Sequence, residues 1–179
     1  MDSAHIHLLL NHIPVVGTGL ALLLLAYAML RKNEEMEKGS LAAFVILALI
    51  SIAVYLTGEP AEEIVEGLPG VSEAIIESHE KAALFAFIAV EALGVIALAG
   101  LILSRRSKHL LKWAATLALA VAVAAGGLMA WAANLGGQVR HTEIRSGAVA
   151  TEKDKAGEAG GGDKEKNRGK DKDKENDNN

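Results

Sequence analysis

Imidazoles and carboxylates are the side chains here best suited to chemistry, and they are unevenly placed. His5, His7, His12, His79 and His141 fall at one end of four apolar stretches, and only His109 falls at the other. Seven glutamates between Gly58 and Glu80 share the end that holds the five histidines. Imidazoles at interfacial depth can hold a metal or a haem iron, and a nearby carboxylate can fix the ring tautomer. His12 and His79 are the preferred ligand pair because they lie nearest the apolar stretches, and His141 is the next candidate. Glu59, Glu62, Glu63 and Glu80 are available as ligands, proton carriers or anchors for the rings. A mixed histidine and carboxylate shell suits zinc, copper(II), iron or manganese better than copper(I). The plain alternative is that histidines tolerate interfaces and carboxylates cap helices. No His-Glu-x-x-His spacing argues against that alternative, and His5 and His7 near a chain end read as interfacial residues.

Glu91 is the other reactive group. It lies in Ala89-Val90-Glu91-Ala92-Leu93, midway along the third apolar stretch. An ionised carboxylate at the bilayer centre costs at least about 2.5 kcal/mol on insertion scales. Glu91 is therefore expected to face the bundle interior, neutral or hydrogen-bonded, with Ser51 or Tyr27 as available partners. Glu80 and Glu91 are three helical turns apart on one face, about 16 Å along the axis. A proton or cation route between them competes evenly with a purely structural glutamic acid. Thr18, Ser51, Tyr55 and Thr116 form no evident continuous polar path, which counts against a pump or channel.

The elements that must position these groups are long and apolar. The stretches are Ile13 to Leu30, Leu41 to Leu56, Ala82 to Leu103 and Trp113 to Ala133. Runs of about 18 apolar residues read as membrane-spanning helices. A soluble bundle would need a polar outer face on each helix, and these stretches have none. The expected fold is all-α: a four-transmembrane-helix bundle with helices at about 8–30, 41–57, 80–103 and 110–133. Residues 1–146 form this domain. Residues 147–179 are rich in glycine and in charges of both signs, and are expected to be a disordered tail. The near-neutral balance of that tail argues against a nucleic-acid partner. Absent cysteine excludes disulfides, thiolate ligands and covalently attached haem. The first stretch reads as a retained helix rather than a signal peptide, since no basic residue precedes Arg31.

Local signals sharpen these elements. Pro14 either kinks the first helix or sits in its first turn, with Asn11 or His12 at the cap. Thr57-Gly58-Glu59-Pro60 reads as the end of one helix and the start of a short one. Leu68-Pro69-Gly70 then breaks the loop, and a helix runs from about Ser72 into the third span. Arg31, Lys32 and Lys38 lie in one connection, and Arg105, Arg106, Lys108 and Lys112 lie in another on the same side. The positive-inside rule places that side in the cytoplasm. Both termini and the glutamate-rich connection are then extracytoplasmic, in the plasma (inner) membrane of a bacterium.

These elements resemble an uncharacterised bacterial four-helix membrane-protein family, domain of unknown function 2231. The matching pieces are His5-Ile6-His7-Leu8-Leu9-Leu10-Asn11-His12-Ile13-Pro14, then Thr57-Gly58, His79, and Gly136-Gly137-Gln138-Val139-Arg140-His141. The likeness covers roughly Ala4 to Arg145, with Ile13 where an aromatic residue is expected. It implies that His12, His79 and His141 are the set of histidines to test, and it carries no settled activity.

Three functions follow as expectations. The first is a membrane protein binding haem b or a divalent transition metal at its extracytoplasmic end, for electron transfer. The second is a non-catalytic scaffold in a respiratory or other membrane complex, with a homo-oligomer compatible with so small a bundle. The third is a proton or ion carrier centred on Glu91. Nothing in the residues commits the chain to catalysis.

Overall fold

A computed structural model describes residues 3–66 and 68–145. Four long helices account for nearly all of them: α1 (Ser3–Arg31), α2 (Glu34–Val65), α3 (Glu73–Ser104) and α4 (Lys108–Arg140). All four are long and apolar enough to cross a membrane. Large apolar side chains such as Leu20, Leu23, Leu49, Ile88, Val95 and Val123 lie exposed along their outer faces. Such a surface belongs in lipid, and the chain is a multi-pass membrane protein with an all-α four-helix fold. The stretch expected to be a disordered tail, 147–179, lies outside the described residues. Residues 3–140 form one compact unit, and a second unit begins at His141 with a single 3₁₀ turn, Thr142–Ile144.

Within the bundle each helix packs on its neighbours in the chain, α1 also packs on α4, and α2 scarcely touches α4. The contacts are antiparallel, so the start of α1 and the end of α4 lie at the same end. Small residues let the backbones approach. A Cβ added at Gly100 would fall 2.5 Å from Ala114 Cβ, and one added at Gly17 would fall 2.5 Å from Leu47 Cδ2. The inner face of α4 is a stripe of Leu111, Ala115, Ala118, Ala122, Ala125, Met129 and Ala132, each buried. Its alternating steps of four and three residues are those of a supercoiled helix seam.

Two boundaries differ from the sequence expectation. α1 begins at Ser3, so Pro14 is internal and buried, and neither Asn11 nor His12 is a cap. α2 does not stop at Gly58: it runs through Pro60 to Val65. Proline in a helix interior removes one hydrogen bond and costs about 3 kcal/mol. Here the helix beyond it is tied to the bundle by buried Ala61, with Ile76 buried on the adjoining turn of α3. The short helix expected after Pro60 is thus the last part of α2. The break at Leu68-Pro69-Gly70 is present, with Gly70 at φ 82°, and Ser72 precedes α3 as expected. At 32 residues, α2 and α3 are each about 48 Å long, well beyond a hydrocarbon core of about 30 Å. Their polar ends therefore project beyond the membrane-spanning segments, which are the apolar stretches.

Candidate functional site

The inner stripe of α1 is Pro14, Thr18, Ala21, Leu25 and Ala28. Continued towards the N-terminus at the same spacing, it reaches Asn11 and His7. His7 is accordingly half-buried, and its Nδ1–H donates across to α2, to the Val54 carbonyl at 3.1 Å, with Thr57 Oγ1 at 3.3 Å. Thr57 in turn donates its hydroxyl to carbonyls one turn back, Ala53 and Val54. His79, half-buried on α3, donates its Nδ1–H to the Ala132 carbonyl of α4 at 2.9 Å. Gly136 makes room for that ring: a Cβ there would lie 3.0 Å from His79 Cε1.

A carbonyl only accepts, so in both rings the proton sits on Nδ1. In the neutral ring this tautomer leaves the lone pair on Nε2, the arrangement a ligating imidazole needs. The two rings are near enough that charge on one acts on the other. His7 of α1 and His79 of α3 thus lie toward the same end of the bundle, each tied to a neighbouring helix.

His12 stands elsewhere. It lies on the exposed face of α1, and its Nδ1–H donates to its own helix at the Leu8 carbonyl, 2.9 Å away. His141 opens the second unit, is exposed, and bonds Glu143 Oε1 at 2.8 Å. The Glu143 backbone N–H and then His141 hold that carboxyl below its ordinary range. The missed residue is His7, and its signal was the stripe that leads back to it from Pro14.

The glutamates form a second group. Glu62 of α2 hydrogen-bonds Glu80 of α3, a contact that requires a proton on one of the two carboxyls. Both lie beyond the apolar stretches, outside the membrane-spanning segments. The Glu62 carboxyl is raised to about 7, first by the bond to Glu80, then by burial, then by the charges of Glu80, Glu66 and Glu59. An open cleft of about 410 Å³ beside them is lined by Glu62, Glu66, Glu73, Glu77 and Glu80, with Ala74 and Ile76. Lys81 neutralises Glu77 at 2.7 Å. Among the described residues no three histidine, aspartate or glutamate side chains gather to hold a metal ion.

Glu91 faces α2. Ser51 Oγ lies 2.7 Å from Glu91 Oε1 and 2.9 Å from the Ala48 carbonyl, so one hydroxyl serves both. Ser51 is buried, and Tyr27, the other partner weighed from sequence, is exposed. One turn outward, Tyr55 and Phe87 stack with centroids 4.5 Å apart. Each step outward along α2 is matched by an equal step back along α3: Ala48 with Gly94, Ser51 with Glu91, Tyr55 with Phe87, Glu62 with Glu80. Glu91 and the outer carboxyl pair thus lie on one helix–helix seam. No protein-family model, curated protein or solved structure matches the chain.

Proposed function

We propose that this is a bacterial inner-membrane protein whose extracytoplasmic end binds haem b or a divalent transition metal and serves electron transfer. We place it with the family of domain of unknown function 2231 on the residues quoted above. One observation carries the cofactor reading: His7 and His79 are half-buried toward the same end of the bundle, each with its Nδ1–H committed to a backbone carbonyl of another helix. His7 and His79 would hold haem iron through Nε2, and their carbonyl partners would fix the ring tautomer and orientation. The want of a third ligand among the described residues favours haem over a closed mononuclear metal site. The ligand pair in this reading is His7 and His79, with His12 and His141 as controls.

The test is the absorbance spectrum and metal content of detergent-purified protein. A Soret band, lost in His7→Ala and His79→Ala and kept in His12→Ala, is the expected result. No Soret band and no stoichiometric metal in the wild type would rule the reading out.

A second reading, a proton carrier centred on Glu91, is favoured by its bond to Ser51 on the seam that ends in Glu62 and Glu80. Proton flux into proteoliposomes that is unchanged by Glu91→Gln would remove it.

A further inference from the structure

The end of the bundle opposite the histidines carries a groove that neither reading uses. It lies between the start of α2 and the end of α3, has a volume of about 390 Å³, and is lined by Lys38, Leu101, Ser104 and Arg105. Its depth is set by the sequence. Lys38 lies just before the apolar stretch of α2 begins at Leu41, and Arg105 lies just after that of α3 ends at Leu103. The cationic heads therefore sit at headgroup level, with Leu101 one turn deeper as an apolar floor.

The donors can be counted. Arg105 is exposed, and among the described residues it makes no ion pair, so its guanidinium fork is unspent. Lys38 gives one N–H to Glu35 at 2.8 Å and keeps two. The Glu35 side chain is 82% exposed, which leaves it in water beside the groove rather than within it. Ser104 commits its hydroxyl hydrogen to the Leu101 carbonyl, so it shapes the wall without donating. Glu37, the nearest other carboxylate in sequence, is buried and is not among the lining residues. The groove lies by the N-terminal turns of one helix and the C-terminal turn of another, so their dipoles largely oppose each other. What remains is the Arg105 guanidinium and the Lys38 ammonium above an apolar floor, with the charges of Glu35 and Glu34 acting on Lys38 from one side.

The geometry points to a binding site for the phosphate of an anionic phospholipid, with the acyl chains lying along the exposed apolar faces of α2 and α3. Arginine and lysine at this depth hold a phosphodiester by charge-assisted hydrogen bonds. Exposed Leu98 and Ile102 on α3 and exposed Leu49 on α2 give the chains an apolar path. A free phosphate ion offers the same oxygens without the chains, and the floor at Leu101 argues for the lipid.

The test reconstitutes the full chain in phosphatidylcholine vesicles containing a minor fraction of phosphatidylglycerol, and counts retained lipids by native mass spectrometry. Phosphatidylglycerol should be retained preferentially. Arg105→Gln should lower that preference about fivefold, and Lys38→Gln with Arg105→Gln by about twenty-five-fold, at about 1 kcal/mol per basic residue. Lys81→Gln, at the other end of α3, should leave it unchanged. Equal retention of the two lipids, or a preference that survives the double substitution, overturns the site. Displacement of phosphatidylglycerol by millimolar inorganic phosphate overturns the lipid as its occupant.

Discussion

A ring whose Nδ1–H is held by a carbonyl has its tautomer and its orientation chosen for it. For His79 that choice depends on Gly136 as well as on Ala132, because a side chain at 136 would crowd the ring where it lies against α4. Gly136→Leu should turn the ring away and break the bond to Ala132. The expected loss is about 1 kcal/mol, seen as a lower Tm in detergent, together with loss of any cofactor spectrum. Glu62 makes a prediction of opposite character. Its folded-state value near 7 lies above the ordinary 4.5, so between them the folded chain binds more protons than the unfolded one. The stabilisation is full below the ordinary value and is lost as pH rises through about 7. Tm in detergent should therefore fall between about pH 5 and about pH 8, and Glu80→Gln should flatten that slope. The inward position of His7 was legible in principle. The stripe Pro14, Thr18, Ala21, Leu25 and Ala28 passes through His7 and misses His12. Distance to the apolar stretch, which favoured His12, measures depth and says nothing of which face a residue is on.

At the scale of the helix, packing here depends on small side chains. Lipid tails are as apolar as leucine, so burial gives little drive for helices to associate, and close fit must supply it. Gly94 of α3 meets Ala48 of α2 so closely that a Cβ at 94 would overlap the alanine methyl. Gly94→Ala should cost about 1 to 3 kcal/mol by overpacking. Adding Ala48→Gly should restore most of it, since the methyl group is then moved across the seam rather than added. A Tm series of the two single variants and the double decides this. The existence of the four helices was plain in the sequence because hydropathy acts over many residues at once. The end of α2 was not. Gly58 and Pro60 are strong local stop signals, and they were outweighed by burial of Ala61 and by the contact of Glu62 with Glu80. Tertiary contacts of that kind leave no local pattern. The Ser51–Glu91 bond was legible by contrast, since an intramembrane carboxylate must find a polar neighbour and the second span offers few.

At the scale of the whole molecule, even helix number puts both ends of the bundle's chain on one side, and the positive-inside rule predicts from the basic connections that this side is extracytoplasmic. The sequence has no cysteine, so single introduced thiols report without background. Ser78→Cys, on the exposed outer turn of α3, should react with a membrane-impermeant maleimide in intact spheroplasts. Lys32→Cys, between α1 and α2, should react only after permeabilisation. The reverse pattern would invert the orientation and move the histidine end to the cytoplasm.

The matched steps along α2 and α3 have a consequence for how the protein is made. A slip of one turn would set Ser51 against Phe87, leaving the Glu91 carboxyl without its hydroxyl, and would part Glu62 from Glu80. One displacement breaks a steric fit, a hydrogen bond, an aromatic stack and a shared proton together. The slipped hairpin is therefore not a near-degenerate trap into which a newly inserted chain can settle. Four unlike contacts at one spacing thus favour the observed register of the α2–α3 hairpin over its one-turn slips.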